Sequence, residues 1–354
     1  MTTQTGAAAA GPAAGLGGVV GHARARSDLG QQLAQGNLAH AFWLTGPPQV
    51  GKTTLALAAS ADLLEAEDWP GGVLNHPDLW LEDGESSLGI DRIRSGDAEP
   101  SEGPTLQHFL SLTSFAGRGK TAVIGRADRL TLPAANSLLR LLEEPPPRSV
   151  IWLCTSRPDS EHLPPTLRSR CRALGLGPVD AGEIQGWLQR VHGQAPGAAE
   201  AAAALALGRP GLALELASDP ELGSRSEAQL DQWLACAGGG PAAWLELSRQ
   251  LAERGTERQL AVAALRVWAS FLRDCCCLAT GAAALCRWPS RAAQARAYAS
   301  ALGAPGCARR YDLALDALAR VEEAATPRLV LDRLLLLSFG GDPPRPPLVS
   351  VTGA

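Results

Sequence analysis

The feature that most narrows what this chain can fold into is "GPPQVGKTT", Gly46 to Thr54, because of what flanks it: the apolar run "AFWLTG" before and the helix-like run "GKTTLALAASADLL" after. The stretch satisfies G-x-x-x-x-G-K-[ST] in full, and a strand, then a glycine loop, then a helix is the setting in which that spacing has a mechanism. Backbone N–H groups of the loop and of the helix start would converge on phosphate oxygens, Lys52 would reach the outer ones, and the Thr53 hydroxyl would ligate Mg²⁺. Thr54 follows as a helix-start residue. Gly46, Gly51, Lys52, Thr53 and Thr54 are therefore the candidate nucleotide-binding residues of the loop. Of 32 basic residues only Lys52 and Lys120 are lysines. One of them stands where a compact ammonium, and not a broad guanidinium, fits between phosphate oxygens.

The first half of the chain goes on alternating short apolar runs with helical patterns, in "TAVIG", "LPAANSLLRLLEE" and "SVIWLCTS". That alternation predicts an α/β fold, a parallel sheet with helices on both faces. Beyond "GLGPVDAGEIQGWLQRV" Ala, Leu, Trp and Arg dominate and the sequence reads as helical. A length of 354 residues suits two or three domains. The expected division is a disordered Ala/Gly-rich leader, 1–17; the α/β domain, 18–178; a small helical unit, 179–218; a longer helical domain, 219–341; and a disordered Pro-rich tail, 342–354. The acidic, Gly/Ser/Pro-punctuated "LEDGESSLGIDRIRSGDAEPSEGP" is expected as a surface excursion ahead of a helix at "LQHFLSL".

Composition removes several classes of function. A net charge of −4 and a pI near 5.9 give no basic footprint over the whole molecule, so contact with nucleic acid must be local or made through partners. The eight cysteines show no C-x-x-C spacing and the six histidines form no cluster, so reduced, mostly buried thiols are expected. Cys275-Cys276-Cys277 continues an apolar helical stretch, which points to core packing and not to a metal. The N-terminus has neither a basic start nor a long apolar run, and no segment approaches the roughly 20 apolar residues needed to span a bilayer. A cytoplasmic protein without a membrane partner is expected.

A phosphate cradle does not by itself hydrolyse anything. An acidic residue at the tip of the later strand "TAVIG" would hold the magnesium shell, and a neighbouring Glu would ready the attacking water. Those two places read Gly125 and Arg126, a degenerate acidic site. Asp128 is expected on the connection as a solvated surface residue, and it would serve the metal only if the strand ended later. In "LLEEPPP" the leucines can line a buried helical face while Pro145 to Pro147 end the helix just after Glu143 and Glu144.

The phosphate loop, "GIDRIR" at 89–94, "AANSLLRLLEEPP" at 134–146 and "LPPTLRSRC" at 163–171, in this order and spacing, closely resemble the bacterial clamp-loader subunits of the AAA+ class. The resemblance covers roughly residues 19–215, and the helical remainder matches in length and character alone. It implies an AAA+ nucleotide-binding domain, a helical lid and a C-terminal helical collar. It makes Arg170 of "SRC" an arginine finger that reaches a neighbouring subunit's nucleotide, with an ordinary surface ion pair as the alternative. It makes Thr155 the sensor-1 position, or else a plain strand-end hydroxyl. The second sensor falls on Gly211, with Arg209 offset. Many relatives carry a four-cysteine zinc module after the loop; here that stretch has no cysteine, and His76 alone cannot hold zinc, so no zinc is expected.

The resemblance further implies a non-hydrolysing, stator-like arm of the DNA polymerase III clamp loader. It would load a sliding clamp onto primer-template DNA alongside the gamma/tau motor and delta. No independent catalysis is expected of the chain, catalysis in cis being absent and Arg170 acting in trans. ATP or ADP, with Mg²⁺, would occupy the site if anything does. The alternatives are a hydrolysing gamma/tau-type subunit, a P-loop small-molecule kinase, and a scaffold that has lost nucleotide binding. Arg92 and Arg94 in "DRIR" could face DNA, a neighbour or solvent.

Overall fold

The alternating first half of the chain forms a five-stranded, wholly parallel sheet in the spatial order β2-β3-β4-β1-β5. The computed structural model describes residues 15–340 apart from 85, 95–102, 159–162, 220, 253–256, 289–290 and 323–324. The strands are β1 (Ala41–Thr45), β2 (Leu79–Glu82), β3 (Lys120–Ile124), β4 (Ser149–Thr155) and β5 (Arg172–Gly175). Between them run α1 (Ala23–Ala34), α2 (Lys52–Leu64), the single turn α3 (Ile90–Ile93), α4 (Leu106–Ser111), α5 (Leu132–Glu143) and the single turn α6 (Pro165–Arg168).

Side chains of a strand alternate between faces, and each face of this sheet has its own core. Phe42, Leu44, Val123, Trp152 and Cys154 pack with α2 on one side. Ala41, Trp43, Ile124, Ile151 and Leu153 pack with residues of α4 and α5 on the other. Phe42 and Trp152 stack at 4.4 Å and 13°. The indole N–H of Trp152 donates to Thr121 Oγ1 at 3.1 Å, and that hydroxyl meets Ser60 Oγ at 2.9 Å, so the polar atoms buried beneath α2 satisfy one another.

Leu16 and Val19 also belong to this core, and Leu16 N donates to Asp62 Oδ2 at 3.0 Å. Residues 15–17, expected in the disordered leader, are thus tied to this core through Leu16. The rest of the leader, and the Pro-rich tail, lie outside the described residues, as does the middle of the acidic excursion.

Lys120 begins β3 beside the fully buried carboxylate of Asp78, at 3.3 Å, and over the ring of Phe109, at 4.1 Å. Asp78 also accepts from Phe115 N, Ala116 N and Ser114 Oγ, each at 2.9 Å. Burial alone would raise this carboxyl, but the hydrogen bonds from Ala116, Phe115, Ser114 and Lys120 hold it below the ordinary value of 3.8. A folded value below the unfolded one means stability that is in place above about pH 4 and is lost as the pH falls through the lowered value. Asp78→Asn is expected to cost about 1–3 kcal/mol at neutral pH. Denaturant midpoints measured from pH 6 down to 2 should show the gap to the unmodified chain narrowing in acid; a gap that does not change with pH would remove the charge from the explanation.

From Ala181 onward the described residues are helical: α7 (Ala181–His192), α8 (Pro196–Leu205), α9 (Pro210–Ala217), α10 (Leu222–Gly238), α11 (Pro241–Leu251), α12 (Glu257–Ala279), α13 (Ala292–Glu322), bent at Gly303 just before Pro305, and α14 (Pro327–Phe339). The chain forms two compact units. One runs to Trp187 and takes back Gly208–Glu215; the other comprises Leu188–Leu207 and the chain from Leu216 onward. The segment 179–218, read from sequence as a small helical unit, is thus shared between them. The second unit is centred on Trp233, which packs at 4.8 Å against both Trp268 and Phe339. Cys275 is fully buried in it, with Cys276 and Cys277 half-buried. Among the described residues no helix is long and apolar enough to cross a membrane.

Candidate phosphate site

The strand registers align the carboxyl-end edge of the sheet. Thr45 pairs with Thr155 on one side and with Gly175 on the other, and Glu82, Ile124 and Leu153 lie level across β2, β3 and β4. Ligands of open α/β sheets bind outside this edge, and the glycine loop leaves β1 there. Two of its residues must be glycine. Gly46, at φ 153°, brings its backbone so close to Leu176 that a Cβ would fall 2.3 Å from that residue's carbonyl oxygen, and Gly51, at φ 108°, turns the chain into α2.

Lys52 is buried and folds back over the loop. Its ammonium donates to Gly46 O at 2.9 Å, Pro47 O at 2.7 Å and Ser156 Oγ at 2.9 Å. Burial lowers its pKa to about 8, against the opposing pull of Asp128 and Asp83. The loop is pinned from two further sides. The His22 Nε2–H donates to Val50 O at 2.9 Å, and Gly211 N, at the start of α9, donates to Gln49 O at 3.1 Å. A Cβ at Gly211 would lie 3.2 Å from Gln49. Gly211, which the resemblance made the second-sensor position, is thus packed closely against the backbone of the loop.

Gly125 and Arg126 follow β3 immediately, so the strand ends where the sequence reading ended it. Asp128 corrects that reading. It is not a solvated surface residue, because the short turn Ala127–Arg129 folds it back across the end of β4, where it accepts from Thr155 Oγ1 at 3.2 Å and Ser156 N at 3.4 Å. Thr155 accepts in turn from Arg157 N at 3.0 Å. Thr53 is half-buried on the first turn of α2, and Cys154, wholly buried near the end of β4, has its thiol pushed up by burial to about 12 and so kept neutral. Thr54 is half-buried on the first turn of α2. Ser156, Asp83 and His22 join the site without having been singled out in the sequence. Ser156 had a signal, as a second hydroxyl at a strand end; Asp83 and His22 are brought in by register and by a turn.

Arg170 stands apart from this cluster. Its guanidinium donates to Thr166 O at 2.8 Å and pairs with Glu143 at 2.6 Å, so "SRC" and "LLEE" are held to each other. Arg92 is turned inward, paired with Glu82 at 2.9 Å and lying 5.5 Å from the Trp80 ring, whereas Arg94 is exposed. His76 is buried against Trp69, its Nδ1 accepting from Asp78 N at 3.1 Å. Among the described residues no group of three or more His, Cys, Asp and Glu side chains could hold a metal ion.

Residues 21–180 match the family model described as DNA polymerase III, delta subunit. The chain is 37% identical over 144 residues to the DNA polymerase III subunit delta' of Escherichia coli K12, covering 40% of each protein. It is 32% identical over 170 residues to that of Bacillus subtilis 168, covering 44% of this chain and 48% of the relative. It is also 28% identical over 179 residues to the Escherichia coli subunit tau, covering 49% of this chain and 27% of tau. The chain thus spans about half the length, or less, of the curated relatives it matches. Among solved structures, a DNA polymerase III gamma subunit-related protein of Thermotoga maritima is 17% identical, with a TM-score of 0.39 over 88% of this chain and 98% of that one. Over residues 21–180 the chain is thus similar to the delta' subunits of DNA polymerase III.

Proposed function

We propose that the chain is the non-hydrolysing, delta-prime arm of a clamp loader, which binds nucleotide without turning it over and lends Arg170 to a neighbouring motor's ATP. One observation carries the reading: at the tip of β3, where hydrolysis needs an acid and a water-activating Glu, the chain has Gly125 and Arg126. The loop residues fit a nucleotide. The thirteen-residue helix α2 starts at the loop, and Lys52 is positioned to exchange its contacts with two carbonyls and Ser156 for phosphate oxygens. Bound Mg²⁺ would neutralise phosphate charge, with Thr53 as its protein ligand. Sliding clamp and primer-template DNA are the proposed partners of the assembly, together with gamma/tau and delta subunits.

A hydrolysing gamma/tau-type subunit is favoured by one fact, that Asp128 accepts from Ser156 N while Lys52 donates to Ser156 Oγ, which sets a carboxylate beside the loop. ATP turnover by the purified chain, alone and with its partner subunits, separates the two. Lys52→Ala is expected to weaken ADP binding by at least tenfold, through loss of the charge-assisted phosphate contacts, while leaving turnover by the assembly unchanged. Turnover by the assembly that disappears with Lys52→Ala in this chain, partner lysines intact, would establish a motor instead.

A further inference from the structure

Gly125 is a glycine for room and not for backbone freedom. Its φ is not positive, so its conformation is open to any residue. A Cβ built on it, however, falls 2.0 Å from Oδ1 of Asp83, 2.6 Å from its Cγ and 3.1 Å from its Cβ. Asp83 follows β2 by one residue. Continuing the pairing Glu82 with Ile124 by one step sets Asp83 level with Gly125, and continuing Ile124 with Leu153 sets Gly125 level with Cys154. A carboxylate therefore fills the side-chain volume of the position at which a hydrolysing site keeps its acid. It reaches that volume from the neighbouring strand.

Its surroundings are those of the phosphate site. The register that sets Gly125 level with Cys154 puts the Asp83 carboxylate at the same carboxyl-end edge of the sheet from which the glycine loop leaves β1. The adjacent Glu82 is committed to Arg92, and Asp128 to Thr155 and Ser156. Burial raises the Asp83 carboxyl above its ordinary value, while Arg126 and Lys52 draw it down.

We propose that Asp83 supplies from β2 the carboxylate that β3 lacks, and that with Thr53 it holds the water shell of a Mg²⁺ ion arriving on the phosphates of a nucleotide. The proposal rests on the reading of Gly46–Thr54 as a nucleotide site. Mg²⁺ is characteristically held by one or two protein groups together with substrate phosphates, so Asp83 and Thr53 would hold it jointly with the nucleotide. Hydrolysis stays absent, because Arg126 occupies the place of the water-activating Glu.

The test is a titration of the full chain with a fluorescent ADP, once in Mg²⁺ and once in EDTA. The unmodified chain is expected to bind about tenfold more tightly in Mg²⁺, the scale of a carboxylate that orients a metal's shell. Asp83→Asn keeps the shape beside Gly125 and removes the charge; it should bind equally in both buffers. Gly125→Ala, whose Cβ pushes the carboxylate aside, should do the same. A full Mg²⁺ advantage surviving in Asp83→Asn overturns the proposal and leaves the nucleotide site standing. So does binding by the unmodified chain that Mg²⁺ fails to improve, which would mean that Arg126 neutralises Asp83 internally. No ADP binding in either buffer overturns both this proposal and the nucleotide reading beneath it.

Discussion

In a reconstituted assembly, Arg170→Ala is expected to lower DNA-stimulated ATP hydrolysis at the one motor site it serves by ~10³-fold, the scale of losing a guanidinium from a phosphoryl-transfer site. The chain itself should fold and assemble as before. Its Arg170 side chain is 35% exposed and Glu143 is 49% exposed, and an ion pair so open to solvent is worth about 1 kcal/mol or less. That pair has a second consequence. An arginine bound for a neighbour's phosphate must leave Glu143 to get there, and the exchange of a carboxylate for a phosphate keeps the planar fork occupied in both states. Arg170→Lys keeps the charge and loses the fork, so it should recover only a small part of the activity. Hydrolysis that is unchanged in Arg170→Ala would leave the residue as a surface tie between "SRC" and "LLEE" and nothing more.

What the sequence made legible, and what it hid, divides along physical lines. Strands β1, β3 and β4 announce themselves as apolar runs because the sheet buries them on both faces. The edge strands β2 and β5 are four residues each and partly exposed, and "LWLE" and "RALG" carry no such run. The missed site residue follows from the missed strand. Asp83 is separated from Gly125 by more than forty residues, and only the register of β2 against β3 brings its carboxylate into the volume that the glycine leaves open. Residues of the loop itself were legible, since their spacing is the mechanism. Asp128 was visible but misjudged: distance along a strand was reckoned correctly, while the short turn that folds the chain back over β4 left no trace in the pattern.

Trp152→Ala is expected to destabilise the α/β unit by about 3–5 kcal/mol, read as a shift of the denaturant midpoint by far-ultraviolet circular dichroism. The ring is wholly buried and stacked on Phe42, so its loss opens a cavity between the sheet and α2, where side chains already fill both rows of the core. Trp152→Phe keeps an aromatic ring against Phe42. It removes the N–H donated to Thr121, whose hydroxyl still meets Ser60, together with the smaller part of the indole ring. One lost hydrogen bond whose acceptor remains satisfied costs about 1 kcal/mol. The difference between the two variants is thus the packing term alone. It bears on the site because β4 is hydrogen-bonded to both β3 and β1, and three residues beyond Trp152 it ends at Thr155. A loosened β4 relaxes the edge from which Thr155 and Ser156 reach Asp128 and Lys52, so ADP binding should weaken in Trp152→Ala and hold in Trp152→Phe. Equal destabilisation by the two substitutions would show that the hydrogen bond, and not the stacked ring, fixes the strand.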